Sequence, residues 1–267
     1  MRKLGVIGFG HMAQTMLSGA ADFGVIAPDD ALVYDVSDSR MKEASRLGYG
    51  VASNGRAVYE GCRYLLLAVL PQNADGALSG LSGCGCVPPV IISIVSGMGS
   101  SYIRKFLGEG VRVINLVPNL TISVGFGACA ASRTENVPDK LWQAFLEVLG
   151  RFGQVAAVDE ARLTEIIPAN GCAPGYAFYL IDAVASACAE GGVDYGLAVK
   201  MAAASFAGAG KILLESNLGP AEQLARVCSP GGLTAKGIEY FNSCGIAKSI
   251  GEGVCESAKR GRELALS

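Results

Sequence analysis

The stretch GVIGFGHMAQTMLSGA, residues 5–20, sets an apolar strand, a glycine turn and the start of a helix in immediate succession. Gly8, Gly10 and Ala13 form a GxGxxA pattern in the strand–turn–helix context that a dinucleotide-binding fingerprint requires. Gly8 permits the tight turn, Gly10 lets a pyrophosphate approach the backbone, and Ala13 lets the helix lie close on a sheet. Free N–H groups at the helix start then face the phosphates. His11 and Met12 share that turn. His11 reads as a polar loop residue beside the pyrophosphate, far from the reacting end of a nicotinamide dinucleotide, and is not a catalytic acid. The next strand candidate ends VYDVSD, residues 33–38, and places Asp35 25 residues after Gly10. A carboxylate there accepts both ribose hydroxyls and repels a 2′-phosphate, so the expected cofactor is NADH or NADPH with NADH favoured. The competing reading makes Ser37, Ser39 and Arg40 a phosphate cradle, with Asp35 turned aside.

Working outward, apolar β-rich runs at 3–9, 31–36, 64–70, 90–96 and 111–117 alternate with helical stretches near 11–23, 38–47, 73–81 and 100–107. Continuously apolar strands separated by helices predict a parallel sheet covered on both faces. GFGACAAS and GQVAAV read as added edge strands, and the sheet is expected to end near Val158. After Asp159 only helical signals remain, at 160–167, 175–190, 196–216, 220–227, 234–242 and 245–265. The fold class is therefore α/β. An N-terminal Rossmann dinucleotide-binding domain, 1–158, precedes an all-α domain, 159–267.

Composition narrows the function. Apolar residues make up 51% and charged residues 17%, with a net charge of −2, so nothing attracts nucleic acid or an acidic membrane in general. The chain opens directly on a strand and a glycine turn without a signal-peptide pattern, which predicts a cytoplasmic protein. Residues 166–181 lack charge but contain Asn170, Gly171, Pro174 and Gly175, and read as buried rather than membrane-spanning. Nine scattered cysteines without a CxxC pair, and one histidine, predict no metal site.

SPGGLT, residues 229–234, interrupts the helical half. A proline and two glycines stop any helix, yet helical patterns flank them closely. Glycines at the start of a helix expose backbone N–H groups, and with the helix dipole these favour an anion. On the residues alone, a helix cap with a connector explains the segment equally well.

GFGHMA (8–13), LAVLPQ (67–72), ISIVSGM (92–98), LVPNLTISVGFGACA (116–130), NGCAPGYAF (170–178) and LLESNLGPAEQLARVCSPGGLTAKGIEYF (213–241) occur in this order along nearly the whole chain. Together they resemble the pyrroline-5-carboxylate reductase family, NAD(P)H-dependent enzymes that make proline. The resemblance implies a Rossmann domain and a helical dimerisation domain, with the site formed between one subunit's nicotinamide site and its partner's helical loop. It places Gly8, Gly10, His11, Met12, Ala13, Val69, Pro71 and Asn119 at the cofactor, beside Asp35, where many relatives carry an Asn-Arg-Ser type sequence instead. It places Ser229, Gly231, Gly232, Leu233 and Thr234 at the substrate carboxylate, with Thr234 near the ring nitrogen as the catalytic residue. Three segments depart from the family pattern. Asn119, Leu120 and Thr121 stand for the usual NTP, NGCAPGY (170–176) for SGSGPAY, and Leu70 for a lysine.

The implied activity is reduction of a cyclic imine acid, 1-pyrroline-5-carboxylate to L-proline, by a homodimer or higher oligomer that engages neither nucleic acid nor membrane. Two rivals stay open. A hydroxyacid dehydrogenase, or another imine reductase, is the first, and the hydroxyacid enzyme requires a general base, with Lys200, Lys211 and Lys236 as candidates. The second is a cofactor-sensing protein without turnover.

Overall fold

In the computed structural model the described residues are 2–266, with side chains described through Glu263. They form one sheet of eight strands in the order β3-β2-β1-β4-β5-β6-β7-β8. The strands are β1 (Arg2–Ile7), β2 (Ala31–Tyr34), β3 (Gly50–Val51), β4 (Cys62–Leu67), β5 (Val90–Ser93), β6 (Val113–Val117), β7 (Gly127–Arg133) and β8 (Gly153–Ala157). Helices α1 (His11–Asp22), α2 (Asp38–Arg46), α3 (Gly55–Gly61), α4 (Ala74–Ser79), α5 (Ser100–Leu107), α6 (Asp139–Gly150) and α7 (Glu160–Asn170) belong with the sheet. The order 3-2-1-4-5-6 of the first six strands is that of a doubly wound dinucleotide-binding sheet.

The five strands expected to be parallel are so, and the added strands make the sheet mixed. β1 to β6 pair parallel, but β7 runs antiparallel to β6, with Asn115 opposite Ser132 and Val117 opposite Ala130. The cause is the link between β6 and β7. It holds one 3-10 turn (Leu120–Val124), too short for the crossover that a parallel pair requires. β8 then pairs parallel with β7 across α6, whose amphipathic DKLWQAFLEVLG buries Trp142 and Leu149. That helix, α3 and the two-residue β3 are absent from the sequence reading.

Buried residues form one cluster on each face of the sheet. Val6, Phe9, Leu17, Val33, Ile114, Leu116 and Trp142 lie on one side, and Ile7, Val58, Leu65, Leu78, Ile91, Ile103 and Val113 on the other. Burial pushes the Cys62 thiol up to about 12 and the Cys129 thiol up to about 11, so both remain protonated core residues.

The chain divides into two compact units, 1–172 with 258–267, and 173–257. The first unit keeps α7 because that helix packs on β6 and β7, so compactness divides the chain further along than the change from strands to helices at 158. Its last residues contribute Arg262, which pairs with Glu165 at 2.9 Å. The second unit contains α8 (Ala173–Glu190), α9 (Tyr195–Glu215), α10 (Pro220–Val227), α11 (Leu233–Ser243) and most of α12 (Ile246–Leu266). Within it α8 packs on α9 through small side chains, Ala185, Ala198 and Ala202 being buried. Asp194 caps α9 by accepting from the Leu197 N–H at 2.8 Å, and Tyr195 donates to Asp182 at 2.6 Å.

Within the single chain, 166–181 is only partly buried beyond Asn170. Phe178 and Tyr179 are exposed, as are Met201, Phe206, Ile212 and Leu214 on α9. The stretches 160–190 and 195–215 are long and apolar enough to pass a membrane-span test by length and composition. Helices this apolar hide little of their surface in a single chain, and a contiguous apolar patch on this scale marks an interaction surface.

Candidate functional site

The glycine turn joins β1 to α1 as the pattern requires. Gly8 has φ +93°, and a Cβ built on it would lie 2.5 Å from the Ala68 carbonyl oxygen. Its N–H donates to the Tyr34 carbonyl at 2.9 Å, which fixes the turn between the ends of β2 and β4. Gly10 is different in kind. It caps α1 in an extended conformation, and the nearest atom to its added Cβ would be Arg40 Nη1 at 3.9 Å. Gly8 is needed by the protein's own backbone, whereas Gly10 leaves room on the ligand side. No side chain caps α1 and no acidic residue sits in its first turn, among the described residues. The open N–H groups are a ready anion site.

These residues open onto a cleft of about 1700 Å³ lined by Gly8, Gly10, His11, Met12, Ala13, Asp35, Val69 and Pro71, among others. Eight of the nine expected cofactor residues are therefore brought together. The sequence-read strands 31–36, 64–70 and 90–96 each overshoot the sheet. β2 stops at Tyr34, β4 at Leu67 and β5 at Ser93, and the residues just beyond line the cleft. The chain bends or turns away from the ladder within a few residues, so its apolar run outlasts the strand.

Asp35 is buried, its carboxylate 4% exposed. Oδ2 accepts from the Phe9 N–H at 2.7 Å and Oδ1 from the Ser37 N–H at 2.9 Å, so the carboxylate clips the glycine turn to the end of β2. Arg40 Nη1 lies 3.3 Å from Oδ2. The Ser37 and Ser39 hydroxyls bond to each other at 2.9 Å. The glycine cradle, the uncapped α1 and the fixed carboxylate all fit a nicotinamide dinucleotide.

Asn119 does not line the cleft. Its Nδ2 donates to the Asn170 carbonyl at 3.1 Å, and its Oδ1 accepts from Thr121 Oγ1 at 2.9 Å and the Ala128 N–H at 3.1 Å. Asn170 Nδ2 in turn donates to the Val117 carbonyl at 2.9 Å. The two buried amides tie the end of α7 to β6 and β7. That gives a structural reason for two departures from the family pattern, since Asn170 and Thr121 serve this clip. Cys172, in the same segment as Asn170, and Leu70, the third departure, line the cleft.

A second clip holds the opposite wall. Glu160 accepts from the Ser100 N–H and from Ser100 Oγ, both at 2.6 Å, and so caps α5 from the start of α7. A Cβ on Gly99 would collide with that carboxylate. Sequence reasoning missed Glu160, Ser93 and Asn115, all of which line the cleft. The available signal was a lone amide or hydroxyl in an otherwise apolar strand, as in VINLV.

Ser229, Gly231, Gly232, Leu233 and Thr234 lie together in the second unit, at the start of α11. Gly231 has φ +70°, and the Gly232 N–H donates to the Ser229 carbonyl at 2.9 Å. Gly232 caps α11 without a side-chain acceptor, and Leu233 is 95% exposed. The loop thus presents bare helix-start N–H groups and the exposed Thr234 to solvent in the single chain. Lys211 pairs with Glu215 and Lys236 with Glu239 on the surface, and Lys200 is exposed.

Residues 160–264 match the family model "Pyrroline-5-carboxylate reductase dimerisation", and residues 3–97 match "NADP oxidoreductase coenzyme F420-dependent". Among curated relatives, the pyrroline-5-carboxylate reductase of Methanosarcina acetivorans is 29% identical over 98% of this chain and 98% of its own. That of Escherichia coli is 25% identical over 100% and 99%. Among solved structures, the Plasmodium falciparum pyrroline carboxylate reductase with NADP bound superposes with a TM-score of 0.88 at 19% identity, covering 99% of this chain and 98% of that one. With the dimerisation model over the helical half and the curated relatives matched from end to end, the chain is similar throughout to the pyrroline-5-carboxylate reductase family.

Proposed function

We propose that the protein reduces 1-pyrroline-5-carboxylate to L-proline with a nicotinamide dinucleotide. The observation that carries this reading is the glycine turn opening into the large cleft, in a chain that retains SPGGLT at the uncapped start of α11. A bound NAD(P)H supplies the hydride. The α1 N–H groups hold the pyrophosphate and Asp35 takes the ribose hydroxyls. The amides of 229–234 and the α11 dipole hold the substrate carboxylate, and the Thr234 hydroxyl orients the ring nitrogen. A protonated imine is already electrophilic, so positioning contributes most of the rate and no strong acid is needed. The site residues are Gly8, Gly10, His11, Met12, Ala13, Asp35, Val69 and Pro71 for the cofactor, with Asn119 supporting them from behind. Ser229, Gly231, Gly232, Leu233 and Thr234 serve the substrate.

The functional parts divide at 158/159, and the protein works in the cytoplasm as a homodimer or an assembly of dimers. The exposed apolar faces of α8 and α9 supply the contact. NADH is the preferred cofactor. Asp35 already holds Arg40 at 3.3 Å, so a 2′-phosphate meets a fixed carboxylate and must draw that cation away from it. Thr234→Ala is expected to lower kcat/KM about 10-fold, the scale of one hydrogen bond to a charged group, while Gly232→Val mainly raises KM. Unchanged kinetics in both would reduce the loop to a connector.

The testing experiment follows NADH and NADPH oxidation with five- and six-membered cyclic imine acids. Turnover of the five-membered acid, faster with NADH, is the expected result. Oxidation of a 2- or 3-hydroxy acid without imine reduction would establish the dehydrogenase instead, although the candidate lysines are all solvent-exposed, two of them in surface ion pairs.

A further inference from the structure

A row of polar side chains crosses the sheet where its neighbours are apolar. Ser93 on β5 is in register with Asn115 on β6, which is in register with Ser132 on β7. All three are buried, Asn115 at 6% exposure. Ser93 ends β5 and Asn115 sits at the middle of β6, and both line the cleft. Ser93 Oγ accepts from the Val95 N–H at 3.3 Å, which leaves its own hydrogen free to donate. Asn115 Oδ1 is buried with no hydrogen-bond partner among the described residues. A buried carbonyl without a donor costs about 1–3 kcal/mol, and the Ser132 hydroxyl in register with it is unpartnered too, so a donor brought by a ligand stabilises the row.

We propose that Asn115, with the Ser93 hydroxyl beside it, holds the carboxamide of the nicotinamide ring. This rests on the dinucleotide reading of the cleft. The pair offers one acceptor and one donor on adjacent strands, about 4.8 Å apart. A primary amide matches both at once, its NH₂ donating to Asn115 and its carbonyl accepting from Ser93. A substrate carboxylate fits poorly, because it has no hydrogen to give to Asn115 Oδ1 and Glu160 lines the same cleft. Position agrees as well. β6 lies three strands from β1, roughly 14 Å at one strand spacing each, so the pair sits well away from the phosphate end of the cleft. Asn115 is then a specificity-determining residue that fixes which way the ring lies.

The test is binding of NADH and of its reduced 3-acetylpyridine analogue, in which a methyl group replaces the amide nitrogen, to the full chain by calorimetry. The wild type is expected to bind the analogue about 10-fold more weakly. Asn115→Leu should bind NADH about 10-fold more weakly and bind the two ligands alike. Its melting temperature should stay level or rise, since an unsatisfied buried amide has been removed. Ser93→Ala serves as the second variant. It should weaken both ligands equally and keep the discrimination, because both carry the carbonyl. Discrimination that persists in Asn115→Leu, or a discrimination lost in Ser93→Ala, overturns the assignment. A wild type that binds NADH but does not distinguish the analogue also overturns it. A wild type that binds neither NADH nor NADPH removes the dinucleotide reading itself.

Discussion

Gly8→Ala is expected to weaken NADH binding at least 100-fold. Gly8 sits at φ +93°, where an L side chain is strained by about 1–3 kcal/mol. The added methyl would also lie 2.5 Å from the Ala68 oxygen, 2.7 Å from its carbon and 2.9 Å from the Val69 nitrogen. These are backbone atoms of the segment after β4, so no rotamer change relieves the contact. Either the turn flattens or the Val69 wall moves, and both distort the cradle. Gly10→Ala is the control, because its methyl meets nothing nearer than Arg40 Nη1 at 3.9 Å. It should melt like the wild type yet bind NADH more weakly, through obstruction of the ligand alone. Titration of both variants with NADH, alongside their thermal melts, checks this. Affinity of Gly8→Ala within a few-fold of wild type contradicts the geometry.

Gly153→Ala is expected to give the largest stability loss of any single methyl addition considered, roughly 3–5 kcal/mol. Gly153 opens β8 at φ +139° opposite Gly127, and its added Cβ would lie 2.1 Å from the Gly127 oxygen and 2.6 Å from the Gly127 nitrogen. Gly127 cannot retreat. Its N–H is held by the Phe152 carbonyl at 2.6 Å, and a Cβ there would lie 2.7 Å from Ile122. The two glycines let β7 and β8 start in contact after the β6–β7 reversal. At about 2–4 °C per kcal/mol for a domain of this size, the melting temperature should fall on the order of 10 °C. A fall under 2 °C would show that the edge of the sheet adapts freely.

Much of this was legible in the sequence because single residues carried it. Gly8, Gly10 and Ala13 have roles fixed by steric limits that no other context changes, and the turn forms as read. The layering of helices over a parallel sheet follows from alternating strands and helices. What stayed hidden depends on contacts distant in sequence. The β7 reversal turns on a link too short to cross the sheet. Asn119 pairs with a residue 51 positions away, so its amide is consumed behind the cleft rather than within it. Glu160 meets Ser100 across 60 positions. α6 carried a readable apolar period, but it falls between the last two strands, where the pattern is easily taken for loop. The burial expected for 166–181 misjudged the partner. Apolar helices predict burial, and the sequence does not say whether the covering surface belongs to the same chain.

The measurement that bears most directly on the proposed reaction is the fate of the transferred hydrogen. With NADH carrying deuterium at both C4 positions and 1-pyrroline-5-carboxylate as the acceptor, the protein should yield L-proline carrying one deuterium at C5, the carbon that was doubly bonded to nitrogen. Replacing Thr234 by alanine should slow that transfer without moving the label. Proline formed without deuterium, or cofactor bound and the imine left unreduced, would contradict the account.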